Sequence, residues 1–110
     1  MSLNRFQFTG NLTRDPELNH GGSGKAFATL QLANNQIWYG ADGHKQEKAN
    51  FFRIKAFDKA AENHTKFLRK GSKIYVEGRI ENTEYEKDDA TVYGFDFIAD
   101  YVEYLDGKKD

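Results

Sequence analysis

The sequence lacks several features that would restrict its function at once. It contains no cysteine, which excludes a disulfide scaffold, a zinc–thiolate site and a thiol nucleophile. No apolar run approaches the roughly 20 residues of a membrane span. The N-terminus has neither the charge nor the apolar block of a secretory signal peptide. These absences suit a cytoplasmic protein without a membrane partner.

Motifs for catalysis and cofactor binding are also missing. His20, His44 and His64 are scattered, without the spacing of metal ligands, and no nucleophile motif accompanies them. The glycine-rich segment at residues 19–25 matches neither a P-loop nor a dinucleotide fingerprint, and a turn between strands explains it better. The sequence therefore predicts a binding protein that is not an enzyme and holds neither a cofactor nor a metal.

Aromatic rings and segregated charge are what the chain has in excess. Its 110 residues suffice for one domain, and nine Phe, six Tyr and one Trp exceed what so small a core needs. The net charge is −1, yet residues 1–79 carry 13 Lys/Arg against seven Asp/Glu, whereas residues 80–110 carry three against ten. This distribution allows a basic groove on a nearly neutral protein. The alternative is the chance unevenness of any charged surface.

The stretch at residues 50–57 alternates with period two and predicts a β-strand. Phe52, Ile54 and Ala56 form an ordinary core face. The opposite face combines two rings with two cations, at Phe51, Arg53, Lys55 and Phe57. Rings interleaved with positive charge suit an unpaired nucleic-acid strand, because bases stack on rings and phosphates meet cations. The alternative is a strand buried on both faces, with Arg53 and Lys55 reaching solvent at its edges.

Four further strands and one helix are predicted around this stretch. Alternation indicates strands at residues 4–12, 26–36, 73–85 and 91–105, with bends at Gly10 and Gly78. A helical period at residues 58–69 predicts a helix that Asp58 caps and Gly71 ends. The resulting order, β-β-β-α-β-β, is typical of an all-β OB-fold, a five-stranded Greek-key barrel with the helix between its third and fourth strands.

Motifs along nearly the whole chain resemble the bacterial and phage single-stranded DNA-binding proteins. They are GNLTRDPE at residues 10–17, GKA at 24–26 followed by Ala33, FFR at 51–53 with Ala56 and Phe57, and FLRKGSKIYVEG at 67–78. The last of these motifs is the most specific, and all of them occur in the order that the family has.

In that family four aromatic residues stack on bases. The resemblance assigns this role to four aromatic positions here, Trp38, Phe51, Phe57 and Tyr85. Phe51 and Tyr85 stand where the family has Trp, which reduces the ring area available to a base. Glu81 and Glu84 stand where the family often has Arg or Lys before the last of these aromatics, and their carboxylates would repel phosphates beside Tyr85.

The resemblance also bears on assembly and on the C-terminus. Cellular members continue into a flexible linker and an acidic tip that recruits replication and repair proteins. This chain ends at Asp110 without that tip, so we expect a compact phage-type member or a truncated core, in a bacterial or phage-infected cell. We expect a DNA-binding domain at residues 1–105 and a short charged tail at 106–110. The family implies a homotetramer, although a dimer remains open, and any contacts with replication or recombination proteins would not use an acidic tail.

The predicted function is sequence-independent binding and protection of single-stranded DNA in replication or recombination. Besides Arg53 and Lys55, the cations expected to meet phosphates are Arg5, Arg14, Lys25, Lys59 and Arg79. The alternative is an OB-fold accessory module of a primosome or recombination complex, acting mainly through protein contacts.

Overall fold

The computed structural model describes residues 2–106, so residues 107–110 of the predicted tail lie outside it. The described elements, in chain order, are β1 (Phe6–Leu12), β2 (Leu18–His20), β3 (Ala26–Tyr39), β4 (Lys45–Phe57), α1 (Asp58–Phe67), β5 (Lys73–Lys87) and β6 (Ala90–Tyr104). Within this part of the chain, the only helix is far too short to cross a membrane.

Five of the strands close into a barrel. The sheet runs β1-β5-β6-β4-β3-β2, and β1 also pairs with β3 at Asn11–Ala33 and Leu12–Leu32, which joins the two sides. All neighbours are antiparallel except β4 and β6, which pair in parallel. The predicted OB-fold architecture is therefore confirmed. The helix lies between β4 and β5, the strands predicted as the third and fourth.

The additional strand β2 was not predicted. It comprises only three exposed residues, Leu18 to His20, and pairs with the start of β3 outside the closed barrel. Residues 19 and 20 of this strand belong to the segment that the sequence predicts as a turn. Three residues are too few to show alternation, and Pro16 just before them argued against a continuing strand.

The core forms because alternate side chains of the strands point into the barrel. Leu30 and Leu32 of β3 and Ile54 of β4 are fully buried there. Four phenylalanines pack beside them, at Phe6, Phe8, Phe52 and Phe97. The rings of Phe8 and Phe52 stack with centroids 4.1 Å apart. These four rings account for only part of the aromatic excess, and seven other rings are exposed in the described residues: Trp38, Tyr39, Phe51, Tyr85, Tyr93, Phe95 and Tyr101.

The helix begins and ends differently from the prediction. Asp58 is not an N-cap: Phe57 occupies that position, no side chain caps the helix, and Asp58 has a positive φ of 58°. The helix stops at Phe67, two residues earlier than expected. Arg69 then donates hydrogen bonds to the Thr65 and Leu68 carbonyls, where its positive charge suits the helix C-terminus.

Gly10 and Gly78 lie where two strands approach too closely for a side chain. A Cβ atom at Gly10 would overlap the carbonyl oxygen of Ala33, and one at Gly78 would overlap that of Ile98. The pairing of β5 with β6 also shifts between Glu77 and Gly78. The predicted irregularities at both glycines therefore coincide with points where the barrel curls or closes.

We predict that Gly78→Ala destabilises the fold by about 1–3 kcal/mol, because the added methyl group forces β5 away from β6. Gly22→Ala is the matched control, since a Cβ at Gly22 meets no atom within 4 Å. Urea unfolding followed by circular dichroism measures both variants. Equal free energies of unfolding for the two would contradict the assignment of a steric role to Gly78.

His64 is a buried group on the inner face of α1 that no binding role requires. Its Nδ1 shares a hydrogen bond of 2.7 Å with the Tyr104 hydroxyl. Burial lowers the pKa of His64 from 6.5 to about 4 and raises the pKa of Tyr104. His64 is therefore a neutral packing residue near pH 7.

The stability of the fold should consequently fall as the pH drops from about 6.5 towards 4. In this window the unfolded chain binds a proton at His64 more readily than the folded chain does, so acid favours unfolding. We expect His64→Gln to show a weaker pH dependence of the urea midpoint. The exposed His20→Gln variant controls for other titrating groups and should behave as the wild type. Parallel pH profiles for all three proteins would refute this role of His64.

Candidate nucleic-acid interface

The outer face of the β3–β4 pair carries the residues that the sequence singled out. In register, Phe57 lies opposite Phe27, Lys55 opposite Thr29, Arg53 opposite Gln31, and Phe51 opposite Ala33. Phe51 is 70% exposed, while Ile54 and Ala56 on the other face are buried. The strand is thus not buried on both faces. The alternation predicted for residues 50–57 is confirmed.

A shallow groove runs along this face. Three adjoining pockets share Arg53 in their lining, and we call them together the Arg53 groove. The groove begins at Arg14 and Phe51, passes Arg53, and ends at Lys55 and Phe95. It therefore brings Arg14, Arg53 and Lys55 to one continuous surface between two exposed rings.

The cations of the groove differ in how strongly they are neutralised. Arg53 makes no ion pair within residues 2–106. Arg14 has only a 3.8 Å contact with Glu17, between two largely exposed side chains. The Lys55 ammonium donates a 3.0 Å hydrogen bond to the Asp96 carboxylate. Arg53 is consequently the cation best able to accept an external anion.

Two predicted cations are already held by carboxylates. Arg5 pairs with Glu77. Arg79 lies between Glu81 and Asp100, and the hydrogen bond to Glu81 raises the pKa of the guanidinium. A phosphate reaching either arginine must compete with a neighbour that is already in place, so both are weaker candidates than Arg53.

Phe57 lies at the helix end of the outer face and is only partly exposed. The Lys25 ammonium lies 5.2 Å from the centroid of its ring and 3.8 Å from the Asp58 carboxylate. This cation covers one face of the ring, so a base stacking there would have to displace Lys25. Lys59 is exposed on the first turn of α1, outside the Arg53 groove.

Trp38 is separated from the other predicted rings. It is 42% exposed near the tip of the β3–β4 ribbon, where it lies opposite Gln46. Strand alternation places it on the side of the ribbon that continues from Leu30 and Leu32, opposite to Phe51. Trp38 is thus set apart from Phe51, because it lies five positions after Ala33, the partner of Phe51, and an odd offset changes the face of a strand.

Tyr85 lies on a second ribbon, formed by the ends of β5 and β6. It is 55% exposed, opposite Val92, and flanked by Glu84 and Glu86. Thr91 donates a hydrogen bond to Glu86, so that carboxylate is fixed beside the turn. The ring is available for stacking, but its surroundings are acidic, as the sequence indicated.

Four exposed rings are missing from the residues that the sequence predicted for the site: Tyr39, Tyr93, Phe95 and Tyr101, at 70%, 73%, 72% and 51% exposure. Tyr93 and Phe95 lie on the same face of β6 as the core residue Phe97, so the alternation of the sequence alone predicts them to be buried. The missed signal lies on the partner strand, where the opposite residues are polar, at Glu84 and Asn82. A polar cross-strand partner indicates that the ribbon has left the core.

No group of three or more His, Asp or Glu side chains in residues 2–106 is arranged to hold a metal ion. The chemistry available to the Arg53 groove is ionic and aromatic contact. A closed five-stranded barrel with such a groove across one face is the architecture of OB-fold proteins that bind oligonucleotides or oligosaccharides.

Comparison with known proteins identifies the family. A model of the Single-strand binding protein family matches residues 3–105, and the chain belongs to this family. Single-stranded DNA-binding protein 1 of Staphylococcus aureus strain Mu50 is 42% identical over 107 residues, covering 96% of this chain and 67% of the relative. The Fusobacterium nucleatum single-stranded DNA-binding protein is 35% identical over 106 residues, covering 96% and 69%. The chain thus spans about two thirds of these relatives.

Solved structures agree with this assignment. A chain from the complex of Plasmodium falciparum SSB with ssDNA superimposes with a TM-score of 0.81 at 26% identity, covering 96% of this chain and 97% of that one. A deletion mutant of the Thermus aquaticus single-stranded DNA-binding protein gives 0.84 at 30% identity, covering 96% and 51%. The OB-fold is therefore shared over nearly all of this chain.

Proposed function

We propose that this protein binds and protects single-stranded DNA with little sequence preference, during replication or recombination. The observation that carries the proposal is the placement of Arg53, which has no ion pair in residues 2–106, beside the largely exposed ring of Phe51. Phosphates meet the cations of the Arg53 groove and release counterions. Bases stack on the rings whatever their identity, at about 1–3 kcal/mol per base.

The predicted residues contribute unequally in this proposal. Phe51, Arg53 and Arg14 form its centre, and Lys55 contributes against the competition of Asp96. Phe57, Lys25 and Lys59 extend the surface towards the helix. Trp38 and Tyr85 contact a strand only where it continues onto the two ribbons, and Arg5 and Arg79 contribute least because carboxylates hold them.

A second candidate is an OB-fold accessory module of a primosome or recombination complex that acts mainly through protein contacts. The β5–β6 ribbon favours it, because Tyr85 and Tyr93 are exposed there among Glu84 and Glu86. An acidic aromatic surface suits a basic protein partner better than DNA. Carboxylates line other parts of the Arg53 groove, but the pocket beside Phe51 has Arg14 and Arg53 and no carboxylate, which favours DNA binding as the main function.

The assembly that we propose is a homotetramer, with a dimer as the alternative. Exposed apolar side chains such as Tyr101 and Leu105 supply surface that self-association would cover. Sedimentation velocity at micromolar concentration distinguishes the two states, and a monomer would contradict both. We further propose a non-enzymatic role in the cytoplasm of a bacterium or a phage-infected cell, with replication or recombination proteins as further partners.

Fluorescence anisotropy tests the proposed function with labelled oligo-dT, a mixed-sequence single strand and the corresponding duplex. We expect both single strands to bind with similar affinity and much more tightly than the duplex, because stacked pairs hide the faces of the bases. Quenching of the lone Trp38 by oligo-dT provides a second readout. Equal binding of duplex and single strand, or no binding, would overturn the proposal and leave the accessory role.

Arg53→Ala should lower the slope of log affinity against log salt by about 0.7, the value for one phosphate contact on a single strand. Lys66→Ala removes the same charge from an exposed position on α1 outside the groove, so its slope should match the wild type. Titrations of oligo-dT across a series of salt concentrations measure both variants. Identical slopes for the two variants would exclude Arg53 from the phosphate path.

A further inference from the structure

Phe95 is an exposed ring beside the point where β4 and β6 stop pairing. These strands pair only at Ile54–Phe97 and Lys55–Ile98. Phe97 is covered because Ile54 lies beside it and the rings of Phe6, Phe8 and Phe52 pack on it. Two residues earlier, β6 has no pairing with β4, and Phe95 is 72% exposed. The ring therefore stands at an opening in the barrel wall.

The pocket at this opening combines an aromatic face with groups that contact phosphate. Thr29, Arg53, Lys55, Phe95 and Asp96 line it, and we call it the Phe95 pocket. Lys55 and Thr29 face each other across β3 and β4, so both reach the pocket from its floor. The pocket is continuous with the rest of the Arg53 groove because Arg53 lines both.

Asp96 is the one carboxylate in this lining, and it is held by Lys55. The side chain of Lys55 is 40% exposed and that of Asp96 is 30% exposed. The Lys55 ammonium lies 3.0 Å from a carboxylate oxygen of Asp96. The Asp96 carboxylate therefore occupies the position at the Lys55 ammonium that a phosphate oxygen of a bound strand would take. Because the pair is partly exposed, separating it costs little, and an incoming phosphate can compete for the ammonium.

We propose that the Phe95 pocket is an additional nucleotide subsite on the path of the single strand. One base stacks on Phe95, while an adjoining phosphate meets Arg53 and competes with Asp96 for Lys55. This inference rests on the proposed function and adds a ring that the resemblance to the family did not assign. The internal carboxylate sets the affinity of the subsite below what its two cations alone would give.

The test compares Phe95→Ala and Asp96→Asn on two labelled probes of equal length, oligo-dT and an abasic deoxyribose-phosphate strand. Phe95→Ala should weaken oligo-dT binding roughly 5- to 100-fold and leave the abasic strand unaffected, because only a base can stack. Asp96→Asn should tighten binding of both strands roughly 2- to 5-fold, since it removes the competitor for Lys55. Leu3→Ala, which removes an 89% exposed apolar side chain ahead of β1 and outside the pocket, is the control and should bind both strands as the wild type does.

Two outcomes separate the subsite from the proposed function. If wild type binds oligo-dT and Phe51→Ala weakens it, but Phe95→Ala does not, the subsite is refuted while the function stands. If wild type shows no preference for oligo-dT over duplex, the function itself fails. Sedimentation of each variant confirms that its assembly is that of the wild type. Weaker binding of both probes by Asp96→Asn would overturn the proposed competition at Lys55.

Discussion

The short parallel contact between β4 and β6 is the constraint on which both the barrel and its groove depend. Two residue pairs, Ile54–Phe97 and Lys55–Ile98, join the β3–β4 side of the barrel to the β5–β6 side. In the first of these pairs both side chains point inward, and Ile54 of β4 and Phe97 of β6 pack in the core. Where the pairing ends, Arg53, Phe95 and Asp96 are left at an open seam. Closing the core and exposing a polar, aromatic surface are thus consequences of one contact.

Local charge balance decides which cations remain useful for binding. The chain has nearly equal numbers of acidic and basic residues, and strand register brings many of them together. Arg79 and Arg5 are neutralised by carboxylates on or beside their own sheet. Arg53 escapes because its cross-strand partner is Gln31 rather than an acid. The basic surface is consequently narrow, although the first 79 residues carry a large positive excess.

The sequence predicted most of the fold because period-two alternation and the glycines at positions 10 and 78 are local signals. It predicted the exposed rings of β4 for the same reason. It missed β2 because three residues are too few to show alternation, and it missed the start of α1 because the positive φ of Asp58 leaves no pattern in the sequence. It missed the exposure of Phe95 because that depends on where β6 stops pairing with β4, a strand distant in sequence. Ion pairs such as Lys55–Asp96 join residues 41 positions apart, so no local pattern reveals them. The side on which Trp38 projects followed from alternation, but only once the register of β3 against β4 was known.

The opposite orientation of Trp38 and Phe51 has a geometric consequence for any strand that touches both. By strand alternation, such a strand passes over the margin of the β3–β4 ribbon between the two rings. The distance between the two ends of the bound strand is then shorter than the distance between the ends of the same strand when extended. Contact with both rings would therefore shorten and bend the bound polymer, even on one copy of this small barrel.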